Sequence, residues 1–297
     1  MKYAHIINAF QSTPWAILPG KLAEITGFLE MAAAGVSLDK EMVQSQFASN
    51  RDPSTQQRGA VAVIPIFGTI SQRANMMSDF SGGTSIQKLT AAFRDAMADD
   101  AVGSIVFQID SPGGSVYGVK ELADEIYEAR GQGKQIIAVA DPMAASAAYH
   151  IASAADEIVV LHSGEVGSIG VLAAHVDYSE AEEKCGVKTT LISAGKFKVE
   201  GNPYEPLTDD ARAAIQSDVD DYYELFVDAV ARNRGVSAQD VITGYGEGRC
   251  LTAKNAVAAG LADRIDTFDN VISGLLAPDS RSRARHRATE QLKIKSA

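Results

Sequence analysis

The amino-acid sequence predicts an α/β protein built on a largely parallel sheet with a helical C-terminal portion. Short β-branched runs of strand length alternate with amphipathic helical segments, and one long, strongly capped helix follows them. Val61–Phe67 (VAVIPIF) lies between Gly59 and Gly68, and residues 104–109 (SIVFQI) have a similar length and make-up, so both read as buried strands. Between them Ile86, Leu89, Phe93 and Met97 recur at three- and four-residue steps behind Thr84 or Ser85, which marks a capped helix with one apolar face. The alternation continues through helix 116–130, strand 135–140, helix 144–154, strands 157–161 and 169–177, helix 178–185 and strand 187–192. Strand, helix and strand in repetition mean parallel neighbours joined by right-handed crossovers. After Pro206, Thr208 caps a long helix with acids in its first turn and Arg232, Arg234 and Gly235 at its end. Residues 249–276 add a Thr252-capped helix ending at Gly260, a short strand around Arg264–Ile265 and a last helix.

A length of 297 residues suits one large or two modest domains. Residues 1–50 carry one helix over 21–34, followed by Gly35, and 50–59 (NRDPSTQQRG) read as a linker. The expected division is an N-terminal segment and linker over 1–58, a main domain over 59–276 and a disordered tail over 277–297. Hydrophobic residues at 46% and charged residues at 22% exclude a disordered or collagen-like chain. A net charge of −11 argues against attachment to nucleic acid or an anionic membrane. Residues 281–297 hold six Lys and Arg against Glu290, a charge of +5 that leaves −16 elsewhere, so the tail is a separate object, either a solvated segment with no role or a docking element for an acidic surface. Cys185 and Cys250 form no CxxC, which makes disulfide stapling and structural zinc improbable and points to a reducing cytoplasm. The first 20 residues lack an uninterrupted apolar region, and the apolar stretch 136–161 is broken by Asp141, Pro142, His150, Asp156 and Glu157. Neither a signal peptide nor a membrane anchor is expected.

Three segments carry chemistry. Residues 110–115 (DSPGGS) follow a strand and precede a helix, where bare backbone N–H groups can meet an oxyanion; alone, this is also an ordinary βα turn. In residues 143–149 (MAASAAY) small neighbours flank one hydroxyl, as a nucleophilic serine needs, although an alanine-rich buried helix has the same composition. In residues 195–203 (GKFKVEGNP) Lys196 and Lys198 share strand parity, so periodicity does not separate a base from a solvated lysine.

In order and spacing, PIFGTI, DSPGGSV, MAASAAY, EVGSIGV and SAGKFKVEGNPYEPLT resemble the signal peptide peptidase A family of serine peptidases, within the ClpP/crotonase fold superfamily. The resemblance covers about residues 60–270, and the ordered set is specific where each motif alone is weak. It implies Ser146 as nucleophile and Lys198, five residues before Pro203, as general base. Ser168 then helps to orient the lysine, and Gly113 or Gly114 with Ala147 supplies the oxyanion N–H groups. No cofactor or metal is required. Among family members, an anchorless single unit with a charged tail is most like the phage prohead proteases. That implies a polypeptide substrate such as a scaffold, portal or capsid protein, a homo-oligomer, and work in the host cytoplasm or within proheads. A ClpP-like triad of Ser146, His175 and Asp177 is the nearest rival. Readings of another class are an acyl-CoA-binding crotonase, which shares the oxyanion turn without the nucleophile, and an inactive capsid scaffold. His150 and His162 are expected to pack or hydrogen-bond locally, and Tyr222, Tyr223 and Phe226 to pack against the sheet or a sister subunit.

Overall fold

Seven consecutive buried residues, Val61–Phe67, pair in parallel with Ser104–Asp110, and that strand pairs in turn with Gln135–Ala140 and, past a register shift, through Ser111 with Ala144. This computed structural model describes residues 14–33, 54–73 and 83–277. In chain order, β1 (Trp15–Ile17) and α1 (Pro19–Ala33) precede a hairpin of β2 (Gln56–Arg58) and β3 (Val61–Phe67). Next come β4 (Ile70–Ser71), β5 (Thr84–Ser85), α2 (Ile86–Ala98), β6 (Ser104–Ser111), β7 (Gly113–Ser115), α3 (Val119–Glu128) and β8 (Gln135–Ala145). Then follow α4 (Ala147–Ser153), β9 (Glu157–Val160), β10 (Glu165–Gly167), α5 (Ser179–Lys184) and α6 (Asp209–Arg234). The last elements are α7 (Ala238–Gly244), β11 (Cys250–Thr252), α8 (Ala253–Ala259), β12 (Arg264–Ile265) and α9 (Phe268–Leu276).

The larger sheet runs β11-β10-β8-β6-β3-β2, with β9 beside the first half of β8 and β12 beside β9. Its central pairs are parallel, and strands of this kind are buried on both faces. Alternation along β3 shows the two sides. Ala62, Ile64 and Ile66 face a core shared with Leu89 and Phe93 of α2, Leu122 and Ile126 of α3, and Phe226 and Val230 of α6. Val61 and Val63 face Phe268, Val271 and Ile272 of α9. Each such side chain contributes roughly 1.5–3 kcal/mol by leaving water. A smaller sheet, β1-β7-β4-β5, sits at the carboxyl end of β6.

The expected α/β class and the central strands match the structure, with several local differences. β8 continues to Ala145 because Ala144 and Ala145 pair with Val166 and Gly167, so the following helix starts at Ala147 rather than 144. Gly118, at φ 80°, delays α3 to Val119. Part of the 50–59 stretch is strand β2, returned onto β3 through a tight turn at residues 59–60 in which Gly59 has φ 60°. Residues 169–177 and 187–192 are not strands. The first makes a single bridge, Leu172 with Trp15, and the second leaves Val187, Leu191 and Ile192 exposed. Alternating apolar residues mark a face to be covered, but a strand also needs a partner for its backbone. The tail over 278–297, Gly35 and residues 50–53 lie outside the described residues.

The long helix α6 has the caps its sequence signals. Thr208 Oγ1 accepts the Ala211 N–H, and Gly235, in the left-handed region, donates to the Ala231 and Arg232 carbonyls. Between residues 212 and 225 none is buried, whereas Phe226, Val227, Ala229 and Val230 are. Phe226 stacks on His150 of α4 with ring centroids 4.6 Å apart. Asn233 Nδ2 donates to Ser153 Oγ, and Ser153 Oγ donates to the His150 carbonyl, which ties α6 to α4.

Burial pushes the His150 imidazole down to about 3 from its ordinary 6.5, and Nε2 has no hydrogen-bond partner. The unfolded chain therefore takes up a proton below 6.5 that the folded chain refuses until about pH 3. Stability is intact above the unfolded value and falls as pH drops through this window, by roughly 2 kcal/mol at pH 5. We predict that His150→Phe, which keeps an aromatic ring on Phe226, removes this part of the acid sensitivity. Urea unfolding at pH 7 and pH 5 measures it.

Candidate active site

Ser146 sits between the end of β8 and the start of α4, with φ 55° and ψ −119°. An L-residue is strained at such a positive φ, by about 1–3 kcal/mol, and holds it only where its surroundings dictate it. Two backbone bonds do so here. The Ser146 N–H donates to the Gly167 carbonyl at 2.7 Å, and its own carbonyl accepts the His150 N–H at 2.9 Å as the helix begins. Ala144, Ala145, Ala147 and Ala148 around it are at most 1% exposed, so larger side chains have no room. Ser146 itself is 1% exposed, and its Oγ lies 3.5 Å from the Gly170 carbonyl, a long contact.

The glycine turn meets this serine. At the end of β6 the buried Ser111 hydroxyl donates to the Gly68 carbonyl at 2.6 Å and accepts the Gly113 N–H at 3.2 Å. Gly113 has φ 96°, and a Cβ on it would meet the Ala16 carbonyl oxygen at 2.2 Å, Ser146 Cβ at 2.9 Å and the Ala145 carbonyl oxygen at 3.0 Å. A Cβ on Gly114 would meet the Ile70 carbonyl oxygen at 1.9 Å. Both positions are closed to any side chain. The first glycine's N–H is engaged by Ser111, whereas Gly114 pairs with Ala16 of β1.

Ser168 follows β10 directly, is buried, has φ 54° and donates its N–H to the Arg249 carbonyl at 2.9 Å. It stands next to Gly167, whose carbonyl holds the Ser146 N–H, so Gly113, Gly114, Ser146, Ala147 and Ser168 form one neighbourhood.

The base candidates stand apart from it. Lys198 lies in an exposed turn, its N–H on the Gly195 carbonyl, and its ammonium has no partner among the described residues. Lys196 places its ammonium 4.5 Å from the centre of the Phe197 ring. His175 is half-buried with Nε2 3.1 Å from the Asn202 carbonyl oxygen. Asp177 is exposed, and hydrogen bonds from the Ser179 hydroxyl and N–H hold its carboxyl below the usual range. Neither His175 nor Lys198 hydrogen-bonds to Ser146 in this arrangement. His150 is packed behind the serine, and His162 lies in an exposed turn. Cys250 is no rival nucleophile, since burial pushes its thiol up to about 12. A depression of about 470 Å³ lined by Gln56, Arg58, Gln108, Asp141 and Phe268 does not include Ser146.

Sequence reasoning missed one neighbour of the site. β1, only three residues long, lies along the glycine strip, and a three-residue strand carries too little pattern to be read. Its signal was the pair of prolines in PWAILP that brackets it, with Pro19 opening α1.

Residues 128–277 match the sequence profile of Peptidase family S49. The head-tail preconnector protein GP5 of Enterobacteria phage P21 is 34% identical over 285 residues, 91% of this chain and 56% of that protein. Capsid assembly protease C of Escherichia phage lambda is 38% identical over 220 residues, 74% of this chain and 49% of that protein. A putative signal peptide peptidase SppA of Enterococcus faecium is 24% identical over 266 residues, 88% of this chain and 74% of that protein. The chain spans about half the length of the two phage relatives. A serine held against a glycine turn, on a parallel sheet half of whose chain lies within that profile, places this protein in peptidase family S49.

Proposed function

We propose that the protein is a serine endopeptidase that processes a polypeptide during phage capsid assembly, with Ser146 as nucleophile and Lys198 as general base. The observation that carries this reading is the buried, strained Ser146 turn packed against Gly113 and Gly114. In the proposed reaction Ser146 Oγ attacks the scissile carbonyl, and the Gly114 and Ala147 N–H groups receive the developing negative charge. Gly114 is preferred to Gly113, whose N–H is directed at Ser111. The lysine amine takes the hydroxyl proton and passes it to the leaving amine. Water then enters with the same amine as base and releases the acyl group, while Ser168 orients the lysine.

A lysine amine serves as a base near neutral pH only when burial strips its hydration. The turn carrying Lys198 is exposed in the single chain, and Leu191, Ile192 and Phe197 beside it are exposed too. The reading therefore requires a homo-oligomer in which another copy covers this loop. The exposed first half of α6, with Tyr222 edge-on to Tyr117, offers a further surface to a sister subunit. The Ser–Lys reading is favoured over Ser–His–Asp because His175 is engaged by Asn202. The phage setting rests on the likeness to the two phage relatives, and from it we infer work in the host cytoplasm or the prohead with scaffold, portal or capsid protein as substrate. Among the described residues no helix is long and apolar enough to cross a membrane.

We predict that Ser146→Ala abolishes cleavage of a capsid or scaffold polypeptide with an unchanged circular dichroism spectrum, because one hydroxyl among alanines is lost and almost no cavity is made. New termini mapped by mass spectrometry report the cleavage, and their persistence in the variant would remove the assignment.

Lys198→Ala should lose about 10³-fold or more in kcat/KM, as members of one catalytic unit do, while Lys196→Ala and His175→Ala stay within a few-fold of the parent. A dead His175→Ala beside an active Lys198→Ala would instead establish the triad.

A further inference from the structure

β1 runs through the space beside Ser146 that an extended substrate needs. On one side Trp15 exchanges two backbone hydrogen bonds with Leu172, N–H to carbonyl at 2.9 Å in each direction. On the other side β1 is antiparallel to β7, with Trp15 opposite Ser115, Ala16 opposite Gly114 and Ile17 opposite Gly113. The Leu18 N–H donates to the Pro112 carbonyl at 2.9 Å, and the Val116 N–H donates to the Pro14 carbonyl at 3.5 Å. Hydrogen-bonded and non-bonded pairs alternate along an antiparallel ladder. Since 14 with 116 and 18 with 112 are bonded pairs, 16 with 114 is bonded as well, and the Gly114 N–H points at the Ala16 carbonyl. The same Ala16 oxygen and Ser146 Cβ converge on one side of Gly113. A peptide carbonyl in an extended strand, on a glycine N–H and next to the nucleophile, has the disposition of a scissile carbonyl.

The side chains explain how the strand is held and why it can be exchanged. Trp15 and Ile17 point outward into a small cluster with Leu22 and Ile25 of α1 and Leu172 and Tyr178, separate from the main core. Ala16 points inward over a cavity of about 160 Å³ lined by Val116, Tyr117, His150, Tyr222 and Phe226. A methyl group leaves that cavity unfilled, and His150, one of the residues lining it, has a buried Nε2 without a hydrogen-bond partner. The occupant fits the backbone walls and underfills the pocket.

We propose that Trp15–Ile17 is an internal occupant of the substrate groove, which holds it shut until an extended polypeptide replaces it between β7 and Leu172 and presents a larger apolar residue to the pocket beneath Ala16. This rests on the peptidase reading above. The strand stays whole beside Ser146 because neither base candidate touches the serine in this arrangement.

The test compares hydrolysis of an internally quenched peptide by the full chain and by the full-length Ala16→Pro variant, whose missing N–H breaks the ladder with β7. A rise of at least tenfold in kcat/KM is expected. A second variant lacking residues 1–18, its folding checked by thermal melting, should show the same rise. A synthetic peptide of residues 12–19 should then inhibit it competitively, and a peptide with Leu in place of Ala16 should inhibit at lower concentration. Unchanged or reduced rates in both variants, with hydrolysis by the full chain still dependent on Ser146, would overturn the proposal and leave the peptidase reading standing. Hydrolysis that survives Ser146→Ala would overturn the peptidase reading and this proposal with it.

Discussion

Gly113 and Ser146 stand too close for any side chain between them, and the remaining architecture serves to hold two turns at that separation. A Cβ on Gly113 would lie 2.9 Å from Ser146 Cβ, closer than carbon atoms pack. β6 and β8 bring the turns together because they pair in parallel from Ser104 with Gln135 onward and end side by side. The glycine strip leaves β6 and the serine turn leaves β8, so sheet register sets the distance between Ser146 and the glycine backbone. Helices on one face and α9 on the other fix that sheet, and the alanines around Ser146 let the turns close. Preorganisation of this kind keeps reactive groups in place without reordering at the moment of reaction.

The parts of the fold legible in the sequence are those whose burial is two-sided or whose ends carry caps. β3 is apolar along its whole length and β6 over Ile105, Val106, Phe107 and Ile109, because parallel strands are covered on both faces, and α6 has Thr208 and Gly235 at its ends. What sequence reasoning lost depends on partners distant in the chain. Residues 187–192 have a strand-like pattern, yet no strand lies beside them, and Ile192 is 97% exposed. β1 and β2 are three residues each and exist because β7 and β3 offer edges to them. For the site, the serine and glycine turns stand out as candidates because their geometry restricts residue type, with only glycine fitting at 113 and 114 and only small neighbours around 146, but each alone also reads as an ordinary turn or a buried helix, and only their ordered resemblance to the family joins them. The distinction between Lys196 and Lys198 was not legible from spacing, since an exposed turn imposes no such restriction on either.

In the proposed scheme the site divides into a rigid half and a half that awaits other chain segments. Ser146 and Ser168 are locked by backbone bonds to the Gly167 and Arg249 carbonyls, and Gly113 by its N–H on the Ser111 hydroxyl. Lys198 is carried on an exposed loop with apolar neighbours, and β1 lies along the glycine strip. In the proposed scheme assembly supplies the base and substrate supplies the strand, so a single chain keeps its nucleophile shielded at 1% exposure. Such an arrangement suits an enzyme that must spare its surroundings until it is enclosed with its substrate.

The assignment of Ser146 as the nucleophile is tested most directly by treating the assembled protein with a fluorophosphonate and locating the adduct by peptide mass spectrometry. The account predicts one phosphonylated residue, Ser146, and loss of labelling after denaturation. Labelling at another residue, or none in a fraction that cleaves polypeptide, would contradict it.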